Sequence, residues 1–246
     1  CLGLFLFYIW FGGSAFGSRH YLGHRLEGQS LIVSVSDGEI DVRVISPHAL
    51  EVVFTPKFSR SSLPSFALAS EEDHTPITFF ETPQALRLNT SGLEIAIEKS
   101  PVRLHYRFRG RPLVQESGGF FDQDGQRGFR FHLAEDEIIY GGGSRVMGTM
   151  DRRGHRYPLY NQASYGYEGS AIQMYYSMPA VVSEKRYALI FDNTARGELD
   201  IDNNGDDILT FSATGGRKSY VLIADADWPS VCQRIEDTTG YQPLLP

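Results

Sequence analysis

Side chains suited to carbohydrate contact are concentrated in one stretch of the sequence, residues 137–169. A tyrosine ring can stack on the apolar face of a sugar, while asparagine and arginine donate hydrogen bonds to its hydroxyl groups. The candidates for ligand contact are Arg152, Arg153, Tyr160, Asn161, Tyr165 and Tyr167. The alternative is that these tyrosines and arginines only stabilise a long loop by stacking on one another.

No sequence pattern marks a catalytic centre. The chain has no Gly-x-Ser-x-Gly nucleophile motif, and no pair of acids stands out as an acid and nucleophile couple. Gly141, Gly142 and Gly143 are not followed by the Lys-Ser/Thr pair of a phosphate-binding loop. The residues alone therefore give no evidence of catalysis and predict no cofactor.

A calcium site is the one metal pattern to weigh. Residues 200–205, Asp-Ile-Asp-Asn-Asn-Gly, fit the opening of a calcium-binding loop, but the twelfth position, which requires a bidentate acid, is Phe211. A hairpin turn explains the Asn-Gly pair without a metal. We therefore predict no metal site.

Composition and charge limit the class of ligand. The 246 residues include 22% charged and 13% aromatic residues, with 25 glycines and 12 prolines, as a turn-rich β protein requires. The formal net charge is −7 and there is no basic block, which argues against nucleic acid or an anionic membrane as a partner. A neutral, polar ligand fits this charge better.

An apolar run occupies residues 1–17 and ends with the small residues Ala15 and Gly17, which is typical of a secretory signal peptide. No initiator methionine or basic region precedes it, so we expect this signal peptide to be truncated at its start. A membrane anchor is the alternative, but a span needs about 20 apolar residues and this run weakens at Gly12. We predict export to a bacterial periplasm or extracellular space, with no membrane association after cleavage.

Strand patterns follow one another after a polar lead-in over residues 18–29. Leu31, Val33 and Val35 alternate with polar neighbours, as in a half-buried strand. Residues 175–182 and 186–192 carry apolar side chains on both faces, which is expected in the middle of a layered structure. We expect residues 137–169 to form a shaped loop, and we expect Gly118-Gly119 to mark a turn.

About fifteen short strands without a βαβ rhythm predict an all-β, antiparallel β-sandwich that spans residues 18–240. One helix is expected near the end, with Asp227 as its cap, Pro229 in its first turn and Gly240 at its end. Cys232 lies in this helical pattern, and we expect it to be buried as a small hydrophobe. Residues 241–246 are extended and apolar, and we expect them to connect to a further unit.

Several motifs follow one another along the chain: IIYGGG (138–143), MDRRGHRYPLYN (150–161), YGY (165–167), MYYSMPAVVS (174–183), YALIFDN (187–193), LDID (199–202) and TTGYQPLLP (238–246). In this order they resemble the amino-terminal β-sandwich domain of glycoside hydrolase family 31. The resemblance covers roughly residues 31–246, with the specific motifs in the second half. Within the family, YNQASYGY and MYY are most similar to bacterial α-transglucosylases of the oligosaccharide 4-α-glucosyltransferase type.

The resemblance implies a sandwich of the galactose-mutarotase-like type whose helix leads toward a (β/α)8 barrel. Family members hydrolyse or transfer α-linked glycosyl units with retention, through two aspartates on that barrel. It therefore implies that residues 241–246 begin the connection to the barrel and that the catalytic acids lie outside this chain. It also implies that the loop containing Asn161 reaches toward the active-site mouth, with an α-linked oligosaccharide as ligand.

Two positions depart from the family pattern. Ser144 stands where many members have an acid, and Ala163 stands where many α-glucosidases have the aspartate of an Asn-x-Asp motif. A methyl group cannot accept a hydrogen bond from a sugar hydroxyl. Strict hydrolysis is therefore less strongly implied, and glycosyl transfer stays open.

The sequence thus predicts the non-catalytic amino-terminal part of a retaining α-glycoside hydrolase or transglucosylase that acts on α-glucans or maltooligosaccharides. Its substrate-binding residues would be Arg152, Arg153, Asn161, Tyr165 and Tyr167. The first alternative is a stand-alone carbohydrate-binding sandwich without catalysis. The second is a mutarotase, for which His105, His132 and His155 offer no recognisable pairing with an acid.

Overall fold

The computed structural model describes residues 19–59, 63–69, 74–163, 165–169 and 171–242. The expected signal peptide and residues 243–246 of the expected connection lie outside the described residues. Within them, no helix is long and apolar enough to cross a bilayer.

Two antiparallel sheets form the domain, which confirms the prediction of an all-β sandwich. Sheet A contains, in spatial order, β1 (Tyr21–Glu27), β2 (Ser30–Val35), β3 (Gly38–Ser46), β4 (Ala49–Pro56), β17 (Ser219–Ala224), β14 (Tyr187–Phe191), β13 (Ser177–Ser183) and β11 (Ile139–Gly143). Sheet B contains β12 (His155–Leu159), β15 (Gly197–Ile201), β16 (Ile208–Ala213), β10 (Gln126–His132), β9 (Arg111–Gln123), β8 (Val102–Phe108), β7 (Leu93–Lys99), β6 (Ala85–Asn89) and β5 (Thr78–Glu81). The helix α1 spans Trp228–Thr239.

The core lies between the two sheets and is rich in aromatic rings. Phe191 of sheet A stacks on Phe211 of sheet B with ring centroids 4.4 Å apart. Tyr220 of sheet A meets the edge of Phe129 of sheet B at 4.9 Å. Because successive side chains of a strand point to opposite faces, the predicted alternation in β2 buries Leu31 and its apolar partners in this core.

The outer face of sheet A is also apolar, as the patterns at residues 175–182 and 186–192 predicted. Ala188, Val221 and Ile223 form a second buried cluster there, against which Ile235 of helix α1 packs. The helix therefore covers part of a face that would otherwise meet solvent.

The two ends of helix α1 are as predicted, but the prediction for Cys232 is wrong. Asp227 accepts a hydrogen bond from the backbone N–H of Ser230 at 2.9 Å, and the N–H of Gly240 closes the other end. Val231 faces the protein, and Cys232 is exposed because it lies one residue further around the helix, about 100° away.

The polar lead-in carried no strand prediction, yet residues Tyr21–Glu27 form strand β1, which pairs with β2. Strand β1 lies at the edge of sheet A and has one bonded neighbour, so it does not need a regular alternation of apolar residues. Its polar sequence therefore did not predict a strand. The Gly118-Gly119 turn is also corrected: both glycines lie inside β9, at a bulge where Arg130 pairs with Gly119 and Phe131 with Glu116.

Residues 137–169 are not a continuous loop, because they contain strands β11 and β12. The glycines permit β11 to approach β13 closely. A Cβ atom on Gly141 would lie 2.6 Å from the carbonyl oxygen of Ala180, and Gly141 has a φ of +113°. Gly141, and likewise Gly143, is therefore required by the packing of sheet A.

Candidate functional site

The candidate site is the connection between β12 and β13, residues 160–176, of which 164 and 170 are not described. Hydrogen bonds tie both of its ends to the sheets. The backbone N–H of Ser177 donates to Oδ1 of Asn161 at 2.6 Å, and Nε2 of Gln173 donates to the carbonyl oxygen of Tyr160 at 2.5 Å. The backbone N–H of Ser144 donates to the carbonyl oxygen of Tyr176 at 2.9 Å. The ends are thus fixed relative to the sandwich.

Three tyrosines cluster on the connection. The ring of Tyr175 lies 6.3 Å from that of Tyr165 and 5.9 Å from that of Tyr167, and both pairs are nearly perpendicular. Tyr165 is 89% exposed, Tyr175 45% and Tyr167 39%. Such a cluster offers aromatic surface to solvent in edge-to-face contacts, which is a preferred arrangement of aromatic pairs.

Asn161 lies at the start of this connection with its amide orientation fixed. The hydrogen bond from Ser177 identifies the atom nearest the strand as Oδ1, which leaves Nδ2 as the outward donor. Among the described residues, Nδ2 has no protein acceptor. The exposed side chain can therefore donate to a ligand hydroxyl group.

The buried Arg145 holds the two ends of this connection together. Arg145 was not identified as a site residue from the sequence. Its guanidinium is buried, donates to the carbonyl oxygen of Pro158 at 3.0 Å and to Oγ of Ser177 at 3.3 Å, and lies over the ring of Tyr157. Burial lowers the pKa of Arg145, while Tyr157 acts in the opposite direction. Arg145 thus joins the end of β12 to the start of β13.

Arg152 and Arg153 have protein partners elsewhere. Arg152 is buried, and its Nε donates to the carbonyl oxygen of Gly141 at 3.2 Å. Arg153 donates to Asp202 at 2.7 Å and to Asp207. Within the described part of the chain, no hydrogen bond or ring contact joins either arginine to the other three predicted contact residues. The structure therefore brings Asn161, Tyr165 and Tyr167 onto one connection without the arginines.

The acids of the calcium-like segment are also engaged. The predicted hairpin joins β15 and β16, and Asp200 binds Arg156 at 2.7 Å and accepts the backbone N–H of Asn203 at 3.0 Å. Across the residues that the structure describes, no group of three or more His, Cys, Asp or Glu side chains could hold a metal ion. Asp200 and Asp202 thus serve as partners for arginines.

A cavity of about 780 Å³ opens beside the connection on the outer face of sheet A, with Tyr160 and Asn161 at its edge. Strands β13 and β14 and helix α1 line it mainly with apolar side chains. The carboxylate of Asp192 on its wall is bound by Arg217 at 2.7 Å, and Nδ2 of Asn193 donates to the carbonyl oxygen of Gly215. The cavity suits apolar packing better than a sugar.

Comparison with models of known protein families gives a match for this sandwich. Residues 39–200 match the family model of the glycosyl hydrolase 31 N-terminal galactose mutarotase-like domain. Comparison with curated proteins gave no match.

Solved structures share the fold at low sequence identity. A Flavobacterium johnsoniae GH31 dextranase complexed with isomaltotriose superposes with a TM-score of 0.86 at 23% identity, over 93% of this chain and 29% of that chain. The cycloalternan-forming enzyme from Listeria monocytogenes, in complex with a pentasaccharide substrate, gives 0.78 at 19% identity, over 93% and 23%. A GH31 α-xylosidase from a soil metagenome gives 0.76 at 18% identity, over 92% and 36%. The chain thus spans about a quarter to a third of these structures.

Proposed function

Because the chain belongs to the glycosyl hydrolase 31 N-terminal galactose mutarotase-like domain family, we propose that it is the non-catalytic amino-terminal sandwich of a retaining α-glycoside hydrolase or transglucosylase. The substrates would be α-glucans or maltooligosaccharides. The sandwich would support a (β/α)8 barrel of the same polypeptide and contribute the β12–β13 connection to a sugar subsite. As the sequence predicted, we also propose that the protein is exported.

The observation that carries the subsite proposal is the pairing of exposed tyrosines with an outward amide. Tyr165 and Tyr167 offer ring surface to the apolar face of a glucosyl unit, and Nδ2 of Asn161 offers a donor to its hydroxyl groups. Arg152 and Arg153 contribute less to this proposal, since protein acceptors already engage both guanidinium groups.

The substrate class rests on family membership and on what similar structures bind. The dextranase contains isomaltotriose and the cycloalternan-forming enzyme contains a pentasaccharide substrate. In this chain the side chain of the exposed Ala163 provides no acceptor for a sugar hydroxyl group. Transfer to a second sugar is therefore proposed beside hydrolysis.

The apolar cavity supports the proposed contact with a barrel. Met178, Ile190 and Ile235 line it on a face that helix α1 covers only in part. Apolar side chains of a following unit would remove this surface from water, at about 25 cal/mol per Å² of apolar area. Such contact would hold the β12–β13 connection against that unit.

Kinetics of the full-length protein test the subsite. We expect Tyr165→Ala and Tyr167→Ala each to raise KM for maltotetraose roughly three- to tenfold, because each removes one stacking surface. The control is Phe80→Ala, which removes an aromatic ring of similar exposure on the far edge of sheet B. Unchanged kinetics in both tyrosine variants would refute the subsite, and carbohydrate binding without turnover by the unmodified protein would favour the stand-alone binding module.

A further inference from the structure

Tyr175 occupies the centre of the tyrosine cluster. Its ring contacts both Tyr165 and Tyr167 at angles of 90° and 84°, while no ring contact joins Tyr165 to Tyr167 among the described residues. The two outer tyrosines are therefore related to each other through Tyr175.

Tyr175 is also the member of the cluster closest in sequence to a fixed end of the connection, the end at β13. It precedes Tyr176, whose carbonyl oxygen accepts the N–H of Ser144, and Ser177, whose N–H donates to Asn161. Among residues 165–169, by contrast, the one backbone hydrogen bond in the described structure runs from the N–H of Ala171 to the carbonyl oxygen of Glu168, and the carbonyl oxygen of Ala171 accepts the N–H of Val146 at 3.1 Å. These bonds hold the end of segment 165–169, and the rings of Tyr165 and Tyr167 both contact the ring of Tyr175.

We propose that Tyr175 is the positioning residue of the sugar subsite. It holds Tyr165 and Tyr167 at the angle at which their rings face a glucosyl unit, and it acts through them. This inference rests on the proposed function of the β12–β13 connection. Sequence reasoning included Tyr175 in a strand and did not select it.

The test compares Tyr175→Phe with Tyr175→Leu in the full-length protein, with maltotetraose as substrate. The Phe variant keeps the ring, so we expect KM and kcat within twofold of the unmodified enzyme. The Leu variant keeps apolar bulk without a ring edge, and we expect KM to rise roughly three- to tenfold with kcat within twofold. Equal losses in both variants, or a loss confined to kcat, would overturn the positioning role.

A double-mutant cycle separates positioning from direct sugar contact. If Tyr175 acts through Tyr167, adding Tyr175→Leu to Tyr167→Ala changes KM by less than Tyr175→Leu does alone. Fully additive effects would mean that Tyr175 works independently and would overturn the inference.

The outcomes also distinguish this inference from the function on which it rests. Higher KM in Tyr165→Ala and Tyr167→Ala with normal KM in Tyr175→Leu would refute the inference and preserve the subsite. Normal KM in all three variants would refute both.

Discussion

Glu116 is an acidic residue in the core of the sandwich, where an ionised carboxylate is costly. The hydroxyl of Tyr220 donates to its Oε1 at 2.6 Å, and Tyr106 bonds to Tyr220 in turn. Burial raises the pKa of Glu116 from its ordinary value of 4.5 to about 7, although Tyr220 and Arg19 act to lower it. Near neutral pH the buried carboxyl of Glu116 is therefore present in both its protonated and its ionised form.

Glu116 makes the stability of the fold depend on pH. Because its pKa is higher in the folded state, its contribution is fully present below about pH 4.5 and is lost as the pH rises through about 7. The loss is on the order of 3 kcal/mol. We expect Glu116→Gln to remove this pH-dependent contribution to stability. The free energy of unfolding of the variant should therefore fall less between pH 5 and pH 8 than that of the unmodified chain.

Urea denaturation of both proteins at a series of pH values measures this difference. Asp122→Asn is a suitable control, because Asp122 is an exposed acid at the end of the same strand. Parallel pH profiles for the unmodified protein and Glu116→Gln would contradict the assignment.

At the scale of elements, β11 is an edge strand of sheet A whose open side is closed by Arg152. The backbone N–H of Arg152 donates to the carbonyl oxygen of Ile139 at 2.7 Å, and its Nε donates to that of Gly141 at 3.2 Å. These carbonyls alternate with the ones that bond to β13, so they point away from the sheet. Arg152 thus blocks an edge that could otherwise pair with another strand.

Removing this side chain leaves the carbonyl oxygen of Gly141 without its charged donor. We expect Arg152→Ala to lower the free energy of unfolding by about 1–3 kcal/mol. Arg87→Ala is the matched control, since Arg87 lies on the exposed face of β6 and its loss should change stability by less than about 0.5 kcal/mol. Equal stability of the two variants in urea denaturation would show that Arg152 does not close the edge.

The elements that the sequence predicted are those with a regular apolar period. In β2, the alternation of Leu31, Val33 and Val35 predicts a strand because every second side chain enters the core. Strand β1 has no such period, and β11 is concealed by glycines that the approach to β13 requires. These properties depend on which strands become neighbours, and local sequence does not carry that information.

In the candidate site, too, the sequence predicted what depends on local sequence and missed what depends on the neighbours of each element. Asn161, Tyr165 and Tyr167 share one connection because they are close in sequence. The central role of Tyr175 depends on how the connection folds back, and the support from Arg145 depends on β12 and β13 ending side by side. The partners of Arg152 and Arg153 likewise belong to other elements, so composition alone grouped them with the site.

At the scale of the whole molecule, the sandwich has two unequal outer faces. Sheet B exposes alternate polar residues, as in β8, whereas sheet A carries apolar clusters on both of its faces. The cavity of about 780 Å³ and helix α1 lie on sheet A, and the tyrosine cluster lies on the connection from β12 of sheet B to β13 of sheet A. A barrel docked on this side would therefore meet the face that is least suited to water and, at its margin, the proposed sugar subsite.

The most direct test of the account is product analysis of maltotetraose, with isomaltotriose in parallel, after incubation with the full-length protein encoded by the gene. We expect the protein to consume at least one of these two α-glucan oligosaccharides, and longer oligosaccharides with little glucose would identify transfer, in keeping with Ala163. Steady release of glucose would identify hydrolysis and agree equally with the central claim. If both oligosaccharides stay unchanged under conditions where the protein is folded, the central claim is contradicted.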